Sequence, residues 1–274
     1  MKNVLNKIFN KDRNIIIGAI HFAPLLGYKD FPGYKVIIKN ALEDLMAFQE
    51  GGVDGVIVEN NYDIPHKISV EKETVELMTR LGKEIKKQAK IPVGVSVLWN
   101  DYKAAFTIAK EIGAQFIRIP VFIDRVKTDY GIIESNPEEV IGFRKSINAE
   151  NIAIFTDIHV KHSKILNKET IEESAINAIK NNSDALIITG RWTGEAPDIE
   201  KLSSVRAAVK SSPILIGSGV NVNNIQNLFN YADGAIVSTF LKEGKSKKEE
   251  VNVKGWKQRI DIQKVKTLIR KIKK

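Results

Sequence analysis

Short runs of apolar residues alternate along this chain with longer segments in which apolar positions recur every three or four residues. The runs lie near Asn14 to Ile20, Val53 to Glu59, Ile91 to Leu98, Gln115 to Val121, Asn151 to Asp157, Asp184 to Thr189, Pro213 to Gly217 and Asp233 to Ser238, and each reads as a β-strand. The segments between them read as helices. Val75, Met78, Leu81, Ile85 and Ala89 fall on one helical face, as do Ile171, Ala175, Ile176 and Ile179. The strand starts recur about every 31 residues, the size of one strand–helix unit. Near-continuous apolar strands such as Ile15-Ile16-Ile17 and Ile187-Ile188 fit a parallel sheet covered on both faces. Eight such units without a linker predict an α/β fold, a single (β/α)8 TIM barrel over residues 14–274. An open doubly wound sheet is the alternative, but a glycine-rich turn would follow its first strand, and here His21 follows. Residues 1–13 read as an N-terminal extension, in which Val4, Leu5, Ile8 and Phe9 form a short amphipathic helix to plug the barrel floor, or a frayed terminus.

Barrels of this kind build their chemistry at the carboxyl ends of the strands. Strand by strand, those ends carry His21; Glu59, Asn60 and Asn61; Asn100 and Asp101; Arg118; Asp157 with His159 and Lys161; Thr189, Gly190 and Arg191; Gly217-Ser218-Gly219; and Ser238-Thr239. The last two form the clearest signal. Gly217, Ser218 and Gly219 expose backbone N–H groups, and Ser238 and Thr239 add hydroxyls, a combination suited to a phosphate group. A tight turn explains the two glycines equally well. Lys242 is near enough in sequence to approach the same anion, or to lie solvated on the closing segment.

His21, Glu59 and Asp157 are the catalytic candidates. Strands one and five face each other across an eight-stranded barrel, so His21 and Asp157 can flank a substrate as acid and base, the need of a sugar-phosphate isomerase or epimerase or a related lyase. The bland readings are a structural hydrogen bond for His21 and a salt bridge from Asp157 to Arg118. Arg118, Thr189, Gly190 and Arg191 complete the expected substrate-binding set, with Arg191 on a second anionic group and Trp192 stacked on a planar one. Glu59, Asp157 and His159 form a weak set for a divalent metal, and no other cofactor is indicated. A Schiff-base aldolase is disfavoured because no strand contains a lysine and Lys161 lies just beyond its strand. The segments His21 to Gly33 and Phe122 to Ser135 are longer than connection requires and read as covering loops.

Composition narrows the class. With 43% apolar and 27% charged residues the chain is globular, and with no cysteine it has neither disulfides nor thiolate chemistry. The longest apolar stretch, Ile15 to Gly27, is too short to span a bilayer, and Met1 to Arg13 lacks the apolar core of a secretory signal, so a cytoplasmic protein with no transmembrane segment is expected. The net charge of +9 is confined to the end of the chain: residues 1–240 carry 29 charges of each sign, while Leu241 onward carries thirteen basic and four acidic residues. A neutral body argues against nucleic acid as a partner. The tail reads as a closing helix with Val265, Leu268, Ile269 and Ile272 inward and Lys264, Lys266, Arg270, Lys271, Lys273 and Lys274 around it, solvated or open to an acidic partner or membrane surface. A homo-oligomer is compatible with the pattern, although no interface is legible.

Gly18-Ala19-Ile20-His21 with Pro24-Leu25, Gly55-Val56-Ile57-Val58-Glu59-Asn60, Asp157-Ile158-His159-Val160-Lys161-His162, Thr189-Gly190 with Thr193-Gly194, and Gly217-Ser218-Gly219-Val220 together resemble the BtpA/SgcQ family. The resemblance spans nearly the whole chain. It implies a TIM barrel similar to phosphate-binding barrels, and a family name drawn from photosystem I biogenesis, though members also occur where there is no photosystem. Two readings follow. One is an enzyme acting on a small phosphorylated metabolite; the other is a non-catalytic assembly factor working through protein or membrane-surface contacts.

Overall fold

A computed structural model describes residues 4–244 and 255–272. In chain order its elements are α1 (Val4–Phe9), β1 (Ile15–His21), α2 (Tyr34–Gly51), β2 (Gly55–Glu59), α3 (Lys72–Gln88), β3 (Val93–Ser96), α4 (Tyr102–Ile112), β4 (Phe116–Ile119), β5 (Arg125–Thr128), β6 (Gly131–Glu134), α5 (Pro137–Ser146), β7 (Ala153–Ile158), β8 (Lys164–Ile165), α6 (Ile171–Lys180), β9 (Ala185–Ile188), α7 (Ile199–Val209), β10 (Ile214–Ile216), α8 (Ile225–Leu228), β11 (Gly234–Val237) and α9 (Ile262–Ile272). Eight of the strands pair in parallel around a closed barrel in the order β1-β2-β3-β4-β7-β9-β10-β11 and back to β1. This is the TIM-barrel architecture.

The strands are shorter than the apolar runs suggest, for local reasons. Pro92 and Pro213 have no N–H to donate and so stand just outside β3 and β10, where their carbonyls still accept from Val56 and Leu186. At the other end of β3 the Leu98 N–H leaves the ladder for the Asn60 side chain, 2.7 Å away.

Two apolar layers follow from strand alternation. Outward residues such as Ile16, Ile20, Val56 and Val58 pack under the helices, whose inward faces carry Met78, Leu81 and Ile85 on α3 and Ala175 and Ala178 on α6. Inward residues Ile15, Ile17, Ile57, Phe116, Phe155, Ile187 and Leu215 fill the lumen. Phe116 and Phe155 stack at 4.7 Å, and Gly94 on the neighbouring strand leaves room for the Phe116 ring, which would otherwise lie 2.2 Å from a Cβ there. Leu5 and Phe9 of α1 are buried in this same cluster and close the barrel floor, so the N-terminal segment is a plug rather than a frayed end.

The segment Phe122 to Ser135, expected as a covering loop, brings Asp129 and Tyr130 to the cavity and has regular structure of its own. It folds into the antiparallel hairpin β5–β6, extended by β8, with a small core of Trp99, Val121, Val126, Ile133 and Val160. At the chain's end Val265 and Leu268 are buried where α9 packs on α2. Part of the basic surplus is consumed internally: Arg259 donates to Asp44 and to the Asn40 carbonyl, and Lys264 donates to the carbonyls of Lys242 and Gly244. Lys245, Lys247, Lys248, Lys254, Lys273 and Lys274 lie outside the described residues.

Candidate functional site

Continuing the inward alternation to the strand ends puts polar residues where the apolar lumen stops. His21 follows Ile15, Ile17 and Ala19; Glu59 follows Ile57; Arg118 follows Phe116; Asp157 follows Ala153 and Phe155. The register aligns His21 with Glu59, Glu59 with Ser96 and Ser96 with Arg118, so four inward residues share one level across β1 to β4. Asp157 lies two residues past Phe155, the register partner of Arg118, one step higher.

These side chains form a continuous chain of contacts. His21 Nε2 lies 3.4 Å from Glu59 Oε2; Arg118 Nη1 donates to Glu59 Oε1 at 3.1 Å; and Arg118 Nε and Nη2 donate to the two oxygens of Asp157 at 2.8 Å each. All of them are largely withdrawn from solvent. Burial alone would raise the Glu59 pKa, but the His21 hydrogen bond and the Arg118 charge outweigh it and hold the carboxyl at about 2. Burial, assisted by the Lys242 charge, lowers the pKa of His21 against the pull of Glu59. A neutral imidazole beside a carboxylate presents its N–H to that carboxylate, so the Nε2–H tautomer faces Glu59 and Nδ1 is left as a base. Arg118 is driven further toward permanent charge by its two carboxylates, against the cost of burial.

Above this layer opens a cavity of about 300 Å³. His21, Glu59 and Arg118 line its floor, and Lys161 reaches it from beyond β7. The expectation that no lysine reaches the barrel interior is corrected here, because Lys161 stands beyond its strand and yet lines the cavity. The turn that carries it is held in place: His159 and His162 on either side have φ of +49° and +59°, the Lys161 N–H donates to Thr189 Oγ1, and His159 N–H donates to Asp124. Lys161 Nζ donates to the Gly217 carbonyl at 3.0 Å. Asn61, His66, Trp99, Tyr130 and His162 complete the outer wall; only tertiary structure brings the hairpin and the β2 loop there.

Gly217, Ser218, Gly219, Ser238 and Thr239 all line the cavity. The Ser218 hydroxyl is already committed, donating to the Glu195 carbonyl and accepting from Gly190 N–H. Gly219 has φ +68°, and a Cβ there would lie 2.0 Å from the Ala196 nitrogen, so this glycine lets the two loops meet. Ser238 is different. It is 8% exposed, and its hydroxyl has no hydrogen-bond partner among the described residues. The backbone N–H groups of the cavity-lining residues Gly219, Val220, Thr239 and Phe240 also meet no acceptor among the described residues.

Other expected participants lie elsewhere. Thr189 is buried as the acceptor for the Lys161 N–H, Gly190 serves the Ser218 clasp, and Arg191 points outward, 82% exposed and paired with Glu195 at 2.9 Å. Trp192 packs beside His162 at 5.5 Å. Lys242 donates to the Tyr62 hydroxyl at 2.8 Å rather than lining the cavity. Asn60 and Asn100 hydrogen-bond loop backbone, and Asp101 caps α4. The metal set does not assemble: Glu59 and Asp157 both bind Arg118, while His159 sits apart beside Asp124 and Ser174, and no group of three His, Asp or Glu at ligand spacing occurs among the described residues.

Among the described residues no helix is long and apolar enough to cross a membrane. Comparison with solved structures gives N-(5'-phosphoribosyl)anthranilate isomerase from Pyrococcus furiosus, with a TM-score of 0.55 and 16% identity over 95% of this chain and 98% of that one. The Thermus thermophilus phosphoribosyl anthranilate isomerase gives 0.56 at 10% identity, over 94% and 98%. At such identities the likeness concerns the fold alone. In sequence, an uncharacterised protein of Pyrococcus horikoshii is 37% identical over 87% of this chain and 91% of its own length. The photosystem I biogenesis protein BtpA of Synechocystis is 35% identical over 84% of this chain and 80% of its own. The BtpA family model matches residues 12–274, and with these relatives it places the chain in the BtpA family.

Proposed function

We propose that this barrel is an enzyme that holds a small phosphorylated metabolite by its phosphate and moves a proton on it, as an isomerase, epimerase or related lyase does. The observation that carries the reading is the buried Ser238 hydroxyl without a partner, next to the unmatched N–H groups of Thr239 and Phe240 and in one cavity with those of Gly219 and Val220. A buried donor left unsatisfied costs about 1–3 kcal/mol, so the Ser238 hydroxyl calls for an acceptor, and a phosphate in the cavity has oxygens enough for it and for these N–H groups at once. Lys161 in the same cavity supplies positive charge, whereas that of Arg118 is taken up by Glu59 and Asp157. Gly217, Ser218 and Gly219 shape the loop that presents these groups.

His21 is the proton-transfer group. With Nε2–H on Glu59, its Nδ1 accepts a proton from the substrate and Glu59 stabilises the imidazolium so formed. Asp157 acts through Arg118, fixing the guanidinium that holds Glu59. Burial of this pair at the floor of the cavity favours chemistry over a role carried only by surface contacts.

The test is titration with inorganic phosphate and a panel of sugar phosphates, followed by thermal shift and calorimetry, in wild type and Ser238→Ala. A ligand at about 100 times its Kd stabilises by ~2.7 kcal/mol, a readable shift. Ser238→Ala is expected to keep the ligand-free Tm and weaken phosphate binding about tenfold or more, the worth of one hydrogen bond to a charged group. Absence of any response to phosphorylated compounds would overturn the reading.

A further inference from the structure

We propose that Lys161 is a nucleophile that forms a Schiff base with its substrate, which makes the substrate class a phosphorylated aldehyde or ketone. This rests on the phosphate reading for the word phosphorylated, but not for the covalent step. Lys161 lines the cavity together with His21 and Arg118, and its amine has one hydrogen-bond partner among the described residues, the Gly217 carbonyl. It has no carboxylate partner there: Glu59 and Asp157 are both engaged by Arg118. A lysine whose task is to anchor structure is normally paired, whereas one that must react has to shed its proton. Burial and the neighbouring Arg118 charge work in that direction, against the opposing charges of Asp157 and Glu59, and bring the ammonium down to about 8.

The position is also fixed. Two non-glycine residues in left-handed conformation bracket Val160-Lys161, and hydrogen bonds from Lys161 N–H to Thr189 and from His162 N–H to the Arg191 carbonyl pin the turn from both sides. Such strain in a loop that delivers one side chain to a cavity fits a functional demand.

The step balances without a further reagent. The neutral Lys161 amine adds to the carbonyl carbon, forming a C–N bond while the carbonyl oxygen takes up a proton. The carbinolamine then loses its hydroxyl and the nitrogen's remaining proton as water, leaving the imine. Protonated, that imine draws electrons from the adjacent carbon and acidifies its C–H, where His21 acts as base.

The full-length chain is treated at pH 8 with sodium cyanoborohydride and either glyceraldehyde 3-phosphate or dihydroxyacetone phosphate, beside unphosphorylated glyceraldehyde and dihydroxyacetone, and adducts are mapped by peptide mass spectrometry. Lys161 is expected to carry at least ten times the adduct of any other lysine, and the adduct is expected to vanish from that peptide in Lys161→Arg. In wild type alone, the pH profile of trapping should be half-maximal near pH 8 at Lys161 and above pH 10 at surface lysines, which keeps the test valid if the variant folds poorly. Modification of Lys161 no faster than surface lysines overturns the proposal. A phosphate-dependent thermal shift with no Lys161 adduct also overturns it and leaves phosphate binding standing. Equal trapping of phosphorylated and unphosphorylated probes upholds the Schiff base and removes the phosphate reading.

Discussion

Arg118 meets Asp157 fork to fork, through two hydrogen bonds of 2.8 Å from Nε and Nη2. Both oxygens of Asp157 are occupied and its side chain is fully buried, so it is not available to a substrate. Its contacts continue through Arg118 to Glu59 and then to His21.

Removing one member of a buried pair leaves the other charge uncompensated, at a cost of about 3–5 kcal/mol. Asp157→Asn should therefore lower unfolding stability by roughly that amount in denaturant titration, and because Arg118 also holds the buried Glu59, recovery of a large part of it requires removing all three charges together, as in Asp157→Leu, Arg118→Met and Glu59→Gln. A triple variant no more stable than the single one would count against this account.

Gly219→Ala is expected to be destabilising whether or not a ligand is present. The new Cβ meets the backbone of Ala196 and Glu195, and the residue must adopt φ +68°. A loss of about 1–3 kcal/mol from backbone strain, plus displacement of the Glu195 loop, should appear as a lower Tm of the ligand-free protein. This separates Gly219 from Ser238, whose replacement by Ala removes a hydroxyl with no partner among the described residues and should leave that Tm unchanged.

Stability should fall in two steps on acidification. Burial, and then each a neighbouring positive charge, hold His66 and His162 at about 4, so between about 4 and 6.5 the unfolded chain binds more protons than the folded one. Stability thus rises with pH across that window and is lost as pH drops through it. Glu59, held at about 2, contributes stability above its ordinary value near 4.5 that disappears as pH falls toward 2. His66→Phe, which keeps an aromatic ring against Tyr130, should flatten the upper step in denaturation midpoints measured from pH 7 to pH 4. An unchanged slope would remove His66 from this explanation.

The N-terminal plug is structural. Leu5 is fully buried in the lumen cluster, and the Phe9 ring lies 5.8 Å from Phe116, edge to face. Leu5→Ala should cost about 2–5 kcal/mol and Phe9→Ala about 3–5 kcal/mol, the range for large-to-small changes in cores, measured by chemical denaturation.

The barrel was legible because its cause is local and repeated. Apolar strand runs at a regular spacing, separated by helical periodicity, leave few ways to bury both faces of a parallel sheet. The same alternation that buries Ile15, Ile17 and Ala19 carries His21 into the lumen, so the residues on strand ends could be found by continuing the pattern. Residues beyond the strands could not: the pattern that identifies Asp157 stops before Lys161, whose direction is set by two left-handed residues and by hydrogen bonds to Thr189 and Arg191 from other loops.

What the sequence by itself determined was the eight-unit barrel and the polar residues His21, Glu59, Arg118 and Asp157 at its strand ends, since each follows from periodicity along one segment. The tertiary structure decided the division of labour within that set and around it. It joined Asp157 and Arg118 to Glu59 in one network, tied Ser218 to the loop above, left the Ser238 hydroxyl without a protein partner among the described residues, turned Lys161 inward, and seated α1 in the barrel floor. Those outcomes depend on which loops meet in space, and hydrogen bonds between residues some 20 to 60 positions apart leave no period in the sequence to read.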